Sequence, residues 1–367
     1  MAKKRVVFVL PSLGKGGAQR ATVSLINYLS ENDKLDIALI ALKNDEVEFA
    51  VHSSVRVIKL NSLSFKASLR KLIAVLKTER PHIVYSALWH INLLVCLSRF
   101  WLRFTSIHRF FHIASIHNNP TRIIQTENKV LSVLYYYFFA RFSHSIVAVS
   151  EGIRRHLVSK CLIPSKKIVL AYNPAITDKH RAQLNEPLGA EFAIQNSGEY
   201  LIWVGRLDYQ KDPLKFLELA KITSRPAIIV GDGPLEKDVK DFISANKLNE
   251  KVLHLPFQEN VMSLIANAYL LIMTSRFEGF GLVLVEALAA GTPVISTNCS
   301  YGPSEIICDG KNGILLNDGA SADEFAVAID SIGQNQKLYL SMRAEASESV
   351  EKFSDRAVFQ QYRELFF

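Results

Sequence analysis

Glu278-Gly-Phe-Gly-Leu-Val-Leu-Val-Glu286-Ala-Leu-Ala-Ala-Gly-Thr-Pro-Val-Ile-Ser296 is the stretch on which the reading of the fold turns. Its glycines make a tight turn, the apolar residues after them read as a buried helix, and Pro293–Ser296 reads as a buried strand. With the apolar run Tyr269–Met273 just before it, the pattern is strand, turn, helix, strand, the unit of a parallel sheet. Two carboxylates eight positions apart frame the turn. Small turn residues expose backbone N–H groups at a helix N-terminus, where anions bind, and the flanking carboxylates can accept hydrogen bonds from hydroxyls. The arrangement suits a sugar carried on a diphosphate. The plain alternative for Glu286 is the solvated face of an amphipathic helix. Leu282–Val285 on one side and Ala287-Leu288 on the other leave no such face, so the carboxylate needs a partner or a ligand.

The same alternation extends outward. The first half predicts strands at Val6–Leu10, Asp36–Leu42, Val55–Leu60, Ile83–Ser86, Ile113–Ile116 and Ile146–Ala148. The second predicts them at Tyr200–Val204, Ala227–Val230, Val252–Leu255, Tyr269–Met273 and Pro293–Ser296. Strands alternating with helical patterns imply an α/β protein with doubly wound parallel sheets. At 367 residues the chain exceeds one ordinary core, and two domains follow. The join is expected near Tyr172-Asn173-Pro174-Ala175, a turn signal followed by the polar run 185–198. That gives domains 1–172 and 173–352, with the aromatic amphipathic helix Phe353–Phe367 at the end. A ligand cleft is expected between them, at the C-terminal ends of the strands.

Charge divides the halves. Residues 1–175 carry 25 Lys and Arg against 9 Asp and Glu, and residues 176–367 carry 18 against 26. The basic half favours an anionic surface. Cys96, Cys161, Cys299 and Cys308 are scattered, with no Cys-x-x-Cys pair, so neither a disulfide framework nor a zinc site is expected and a reducing cytoplasm is the default. The basic start Lys3-Lys4-Arg5 precedes an apolar run of only five residues that ends at Pro11, too short for a signal core.

Four further constellations stand where strands meet helices. Gly14-Lys15-Gly16-Gly17-Ala18-Gln19-Arg20 presents glycine N–H groups to a phosphate, or is an ordinary β–α turn. Gln19 occupies the place where a third glycine would complete a dinucleotide fingerprint, which disfavours a dehydrogenase. In Gly205-Arg206-Leu207-Asp208-Tyr209-Gln210-Lys211 two cations five apart precede a helix and could neutralise a leaving diphosphate; a solvated loop is the alternative. Gly231-Asp232-Gly233 is a weaker turn of the same kind. His117 follows a buried strand, where it would face a ligand or serve as a structural histidine.

Three segments of the basic half interleave aromatics or apolar residues with cations. In Phe65–Lys77, Leu69, Leu72, Ile73 and Leu76 share one helical face; Trp101, Arg103, Phe104, His108, Arg109, Phe110 and Phe111 form the second group, and Tyr135–Arg141 the third. Together they predict peripheral binding to an anionic membrane surface, with core packing as the alternative for each alone. The longest charge-free apolar stretch there, Ile83–Ser98, is too short to span a bilayer. No zinc-finger spacing or RNA-recognition motif appears, so nucleic acid is not an expected partner. No Asp-x-Asp pair is present to hold a metal-bound nucleotide sugar.

Taken together, the Gly16-Gly17 loop, His117, Gly205-Arg206 with Lys211, Gly231-Asp232-Gly233, Glu278-x7-Glu286 and the last helix resemble glycosyltransferase family 4, retaining enzymes of the GT-B fold. The resemblance implies two Rossmann-like domains facing a central cleft, the first for the acceptor and the second for the nucleotide sugar, with the C-terminal helix returning to the first. By the same resemblance, Arg206 and Lys211 bind the donor diphosphate and the Gly16 and Gly17 amides close on it. Glu286 takes the ribose hydroxyls. The amides of Phe280, Gly281 and Leu282 face the phosphate and sugar, and Glu278 the sugar hydroxyls. Phe257 and Gly231 lie near the nucleotide, and His117 contacts the transferred sugar near the reacting carbon. The resemblance implies no metal and no cofactor, the nucleotide sugar being a substrate. Ser300-Tyr-Gly-Pro-Ser-Glu-Ile-Ile307 looks like members that build bacterial surface polysaccharides on lipid carriers. The implied reaction moves a hexose or N-acetylhexosamine from a UDP sugar, or from GDP-mannose, to a lipid-linked or lipopolysaccharide-type acceptor at the inner face of the cytoplasmic membrane. A sugar-nucleotide epimerase of the same fold and a non-catalytic nucleotide-sugar binding protein stay open beside it.

Overall fold

A computed structural model describes residues 3–14, 16–31, 34–44, 49–62, 64–105, 109–117, 139, 141–184, 186 and 199–367. The chain forms two compact units, Met1–Pro174 with Val358–Phe367, and Ala175–Ala357. Residues 353–357 stay with the second unit, because the buried Phe353 accepts a hydrogen bond from Ala175 N and Ser354 bridges Ile176.

The first unit is a seven-stranded parallel sheet in the order β3-β2-β1-β4-β5-β6-β7. Its strands are β1 (Lys4–Leu10), β2 (Leu35–Ala41), β3 (Arg56–Lys59), β4 (Ile83–Ala87), β5 (Phe111–Ile116), β6 (Ser145–Ala148) and β7 (Ile168–Leu170). Helices cover both faces, which is why the central strands are continuous apolar runs. The last helix, Asp355–Phe366, contributes Val358, Phe359, Tyr362 and Phe366 to the core of this unit. Phe366 stacks on Phe8 at 5.7 Å and Phe359 on Tyr28 at 4.0 Å between ring centroids.

The second unit is a six-stranded parallel sheet in the order β10-β9-β8-β11-β12-β13. Here β8 is Leu201–Val204, β9 Ala227–Val230, β10 Val252–Leu255, β11 Leu270–Met273, β12 Val294–Thr297 and β13 Gly313–Leu316. In both sheets the winding direction reverses beside the first strand of the unit, between β1 and β4 and between β8 and β11. Loops at the C-terminal ends of those two strands run to opposite faces and leave a crevice. The two strands that the sequence pattern misses, β7 and β13, are both at sheet edges, where half-burial thins the apolar signal.

The helix Phe65–Glu79 corrects one reading of the sequence. Leu72 and Leu76 are fully buried in the core and Leu69 and Ile73 pack against it, so its apolar face is used by the sheet and not held out to a membrane. The stretch Ile83–Ser98 is strand β4 followed by part of the helix Trp89–Thr105. Among the described residues no helix is long and apolar enough to cross a membrane. His108, Tyr135–Phe138 and Ala140 lie outside the described residues.

A buried polar network ties the helix Trp89–Thr105 to strands β4 and β5. His112 Nε2 contacts Ser86 Oγ at 2.8 Å, Ser86 donates to Asn92 Oδ1 at 2.7 Å, and Asn92 Nδ2 donates to the Ser115 carbonyl at 2.9 Å. Burial, aided by the Arg99 and His144 charges, pulls His112 down to about 3, and burial pulls His117 down to about 4. Below 6.5 the unfolded chain protonates these rings and the folded chain does not, so the stability they share is present at neutral pH and lost as pH falls from 6.5 towards those values. Each ring should contribute a slope of up to about 1.4 kcal/mol per pH unit in that window. Denaturant unfolding at pH 7.5 and 5.0 should show the fall, and His112→Asn should flatten it. An unchanged pH dependence in the variant would contradict the neutral buried ring.

Candidate active site

The crevice between β8 and β11 gathers most of the residues singled out from the sequence. The chain leaves β8 through Gly205-Arg206 and re-enters a helix at Pro213; it leaves β11 through Thr274 to Gly281 and re-enters one at Leu282. These two loops are stitched to each other. Arg276 N donates to the Gln210 carbonyl at 2.8 Å, Gln210 Nε2 to the Phe277 carbonyl at 3.1 Å, and Thr274 Oγ1 to the Asp212 carbonyl at 2.8 Å. Trp203, buried on β8, donates its indole N–H to Thr274 at 3.0 Å. The loop geometry is therefore fixed by main-chain partners before any charge is considered.

Charges then pair across the stitch. Lys211 Nζ lies 2.6 Å from Glu278 Oε1, with Glu278 only 4% exposed. Arg206 pairs with Asp208, whose other carboxylate oxygen accepts from Lys211 N at 2.9 Å. Arg276 pairs with the buried Asp212 at 2.8 Å. Arg206 itself stays largely open to solvent, its side chain 67% exposed. The result is a cluster of cations, each held by one carboxylate, at the mouth of a parallel sheet. A Lys ammonium carries three donors in all, so Lys211 can hold Glu278 and a phosphate oxygen together.

The helix Leu282–Ala289 starts beside this cluster. Gly281, at φ +98°, sits in the left-handed region that favours glycine, and as the N-cap it brings no side chain to cap the first turn. Its N–H groups are the anion-facing kind. Phe280 is buried and packs edge-on against Phe353 at 5.1 Å, so its side chain anchors the turn while its amide belongs to the loop. Glu286 is buried at 3% exposure on the same helix. Cys299 is buried as well, its thiol pushed up to about 12 by burial and then by the Glu278 charge.

Gly231 follows β9 and packs against the loop after β8. A Cβ there would lie 1.9 Å from the Gly205 carbonyl oxygen, and φ is +143°, so this glycine has a packing reason of its own. The next carboxylate, Asp232, accepts from Phe257 N at 3.1 Å and pins the loop after β10; the Phe257 ring is 45% exposed beside it. Arg206, Lys211, Gly231, Phe257, Glu278, Phe280, Gly281, Leu282 and Glu286 thus all belong to the C-terminal rim of one sheet. Gly16, Gly17 and His117 belong to the first unit: Gly16 caps the helix Gly17–Ser30 without a side-chain partner, and His117 follows β5. Lys15 and Asn118–Pro120 lie outside the described residues. The sequence reading missed Asp208, Asp212, Thr274 and Arg276, which hold the frame. Its available signal was the pair of acids spaced around Lys211, next to the cations already noticed.

Gly231→Ala should abolish folded protein or lower its stability by several kcal/mol, since backbone oxygen cannot move aside. Gly291→Ala, at φ +75° with open space around the new methyl, should cost only about 1–2 kcal/mol. Thermal melts of the two variants measure the difference.

Comparison with known proteins places this geometry in a family. Residues 15–179 match a family model described as Glycosyltransferase Family 4, and residues 187–349 one described as Glycosyl transferases group 1, leaving unmatched only 1–14, 180–186 and 350–367. An uncharacterized glycosyltransferase of Haemophilus influenzae is 21% identical over 98% of this chain and 99% of its own. The N-acetylgalactosamine-N,N'-diacetylbacillosaminyl-diphospho-undecaprenol 4-alpha-N-acetylgalactosaminyltransferase of Campylobacter jejuni is 26% identical over 83% of this chain and 84% of its own. Among solved structures, Anabaena HepE in complex with UDP-glucose aligns with a TM-score of 0.77 and 18% identity, covering 98% of both chains. The chain therefore belongs to the family 4 glycosyltransferases and is a glycosyltransferase of the GT-B fold.

Proposed function

We propose that this enzyme is a retaining transferase that moves a hexose or N-acetylhexosamine from a UDP-linked donor to a lipid-linked or lipopolysaccharide-type acceptor in bacterial surface glycan synthesis. The observation that carries the donor half is the Lys211–Glu278 pair, with Glu278 buried and Lys211 half-buried, at the sheet crevice beside a helix N-terminus capped by a glycine. The Campylobacter relative acts on a diphospho-undecaprenol acceptor, and the HepE structure holds UDP-glucose, which supports this choice of substrates.

Breaking the anomeric C–O bond builds positive charge on the sugar and negative charge on the departing diphosphate. Lys211, Arg206 and the amides of Phe280, Gly281 and Leu282 stabilise that anion. Fixed cations do this work in the reading, which includes no metal ion, so transfer should persist in EDTA. Glu286 binds the ribose hydroxyls and Glu278 both orients Lys211 and accepts from the sugar. Phe257 and Gly231 border the nucleotide. The acceptor hydroxyl attacks from the leaving-group face, and a diphosphate oxygen takes its proton, so the anomeric configuration is retained. Gly16, Gly17 and His117 stand on the first unit, where the reading has the acceptor bound.

Lys211→Ala and Glu286→Ala should each lower transfer by about a hundred-fold or more while the fold persists. A screen of UDP and GDP sugars, with and without a lipid-diphosphate acceptor, measures this; near-normal turnover in both variants removes the assignment. Product formed without acceptor would instead mark an epimerase.

A membrane surface at the inner leaflet is part of the same reading. Its support is the end of the helix Trp89–Thr105, where Trp101 is 57% and Phe104 73% exposed, with the cation Arg103 between them. Sedimentation with phosphatidylglycerol vesicles should bind the protein, and Trp101→Ser with Phe104→Ser should weaken binding by about ten-fold or more, the scale of burying one large apolar side chain. Binding indifferent to both substitutions would move the contact elsewhere.

A further inference from the structure

The N-terminal edge of the first sheet carries a half-buried guanidinium with no carboxylate. Arg99, on the helix Trp89–Thr105, donates through Nη1 to the Phe142 carbonyl, and its Nη2 lies 2.8 Å from His144 Nε2. It has no acidic partner among the described residues. Lys167 Nζ donates to the next carbonyl, that of Ser143, at 3.3 Å, so two cationic side chains converge on one turn. That turn leads into β6, and Phe111 opens β5 beside it. Gly16, Gly17 and His117 stand beyond the other ends of their strands.

The hydrogen bonds of His144 fix where its proton lies. The His112 backbone N–H donates to His144 Nδ1 at 2.9 Å. A backbone amide nitrogen only donates, so Nδ1 is bare and the neutral ring carries its proton on Nε2. Arg99 has donors and no acceptor. The 2.8 Å contact therefore sets an imidazole N–H against a guanidinium N–H, with no acceptor for either. Protonating the ring makes matters worse, because an Nδ1–H would then meet the His112 N–H as well. Burial, and after it the Arg99 and Lys167 charges, pulls His144 down to about 4, in keeping with a neutral ring.

Two donors facing each other at half-buried side chains are satisfied by one oxygen that accepts from both. The uncompensated charge of Arg99 calls for that oxygen to be anionic. We propose that Arg99 and His144, with the charge of Lys167 beside them, form a binding site for a phosphate group. The surroundings favour the headgroup of an anionic lipid over free phosphate. Phe111 stacks on His144 at 4.5 Å between ring centroids, Phe142 meets Phe100 edge-on at 5.4 Å, and Phe100 meets Phe104 edge-on at 5.2 Å. Phe100, Phe104 and Phe111 are exposed. Residues 99–111, 141–144 and 158–167, which meet at this edge, hold seven Lys and Arg and no Asp or Glu. Open aromatic rings around an anion site suit a lipid interface. The headgroup as the source rests on the membrane reading above; the phosphate site does not.

Long-range proton–nitrogen correlation spectra of the full chain labelled at histidine nitrogen test the site, with His144→Phe identifying the resonance and keeping a ring against Phe111. At pH 7 the wild type should show the Nε2–H pattern for His144. That signal should move on titration with inorganic phosphate and with dihexanoyl phosphatidylglycerol, and stay in place with sodium chloride at matched ionic strength. Arg99→Gln keeps a donor for the Phe142 carbonyl and should weaken both titrations by about ten-fold or more; Arg99→Lys should recover part of the loss. An Nδ1–H ring in the wild type, or a His144 signal indifferent to both phosphates, overturns the site. Saturation by the lipid at a concentration at least about ten-fold below that of inorganic phosphate supports the headgroup, and equal affinities overturn that source. The wild-type titrations stand even if Arg99→Gln fails to fold. Failure of the membrane reading would appear separately, as wild-type protein that does not sediment with phosphatidylglycerol vesicles.

Discussion

A parallel sheet that reverses its winding direction cannot cover both of its middle strands with the same helix layer. At β8 and β11 the two chains leave side by side, run to opposite faces, and expose the ends of the sheet between them. Everything at the candidate site follows from closing that gap. Hydrogen bonds from the Arg276 amide and the Thr274 hydroxyl to the Gln210 and Asp212 carbonyls lock the two loops together, and only then does the Lys211–Glu278 pair become geometrically possible. Residues 67 positions apart in sequence meet because both lie two short turns beyond paired strands.

The pairs also explain how a cationic site survives without a ligand. Burying an ammonium alone is strongly unfavourable, and a partner at close range is the usual remedy. Glu278 at Lys211, Asp208 at Arg206 and Asp212 at Arg276 each supply one. The pairs are not equivalent. Glu278 and Asp212 are almost fully enclosed, whereas Arg206 projects into water, where its attraction to Asp208 is screened. Arg206 is therefore held loosely and Lys211 firmly, and Glu278 is the residue that decides where the Lys211 ammonium points.

Much of this was legible from the residues, for a definable reason. Central strands of covered parallel sheets are apolar throughout, so Val6–Leu10 or Ala227–Val230 announce themselves without reference to the rest of the chain. The edge strands Ile168–Leu170 and Gly313–Leu316 are short and half-exposed, and nothing local separates them from loop. Helix Phe65–Glu79 failed differently: an apolar stripe facing a sheet and one facing a membrane have the same period, and only the position of Leu72 and Leu76 in the core tells them apart. Glu278 and Glu286 were visible because a carboxylate among valines and leucines is anomalous. Asp212 and Arg276 were not, because a charge in a polar loop looks solvated until its partner, 64 residues away, is brought beside it.

The two units handle buried polarity by different chemistry. In the second, net charges are matched against charges, with short contacts from Lys211, Arg206 and Arg276. In the first, the groups around His112 and His117 are hydroxyls, amides and neutral imidazoles joined end to end. A charged cluster recognises phosphate through field strength and tolerates some freedom in angle. A neutral chain is held by the direction of single protons, and it keeps its geometry only if every member is fixed. The settings differ accordingly: the cations stand on loops at a sheet mouth, while the histidines are enclosed by strands and by the helix Trp89–Thr105.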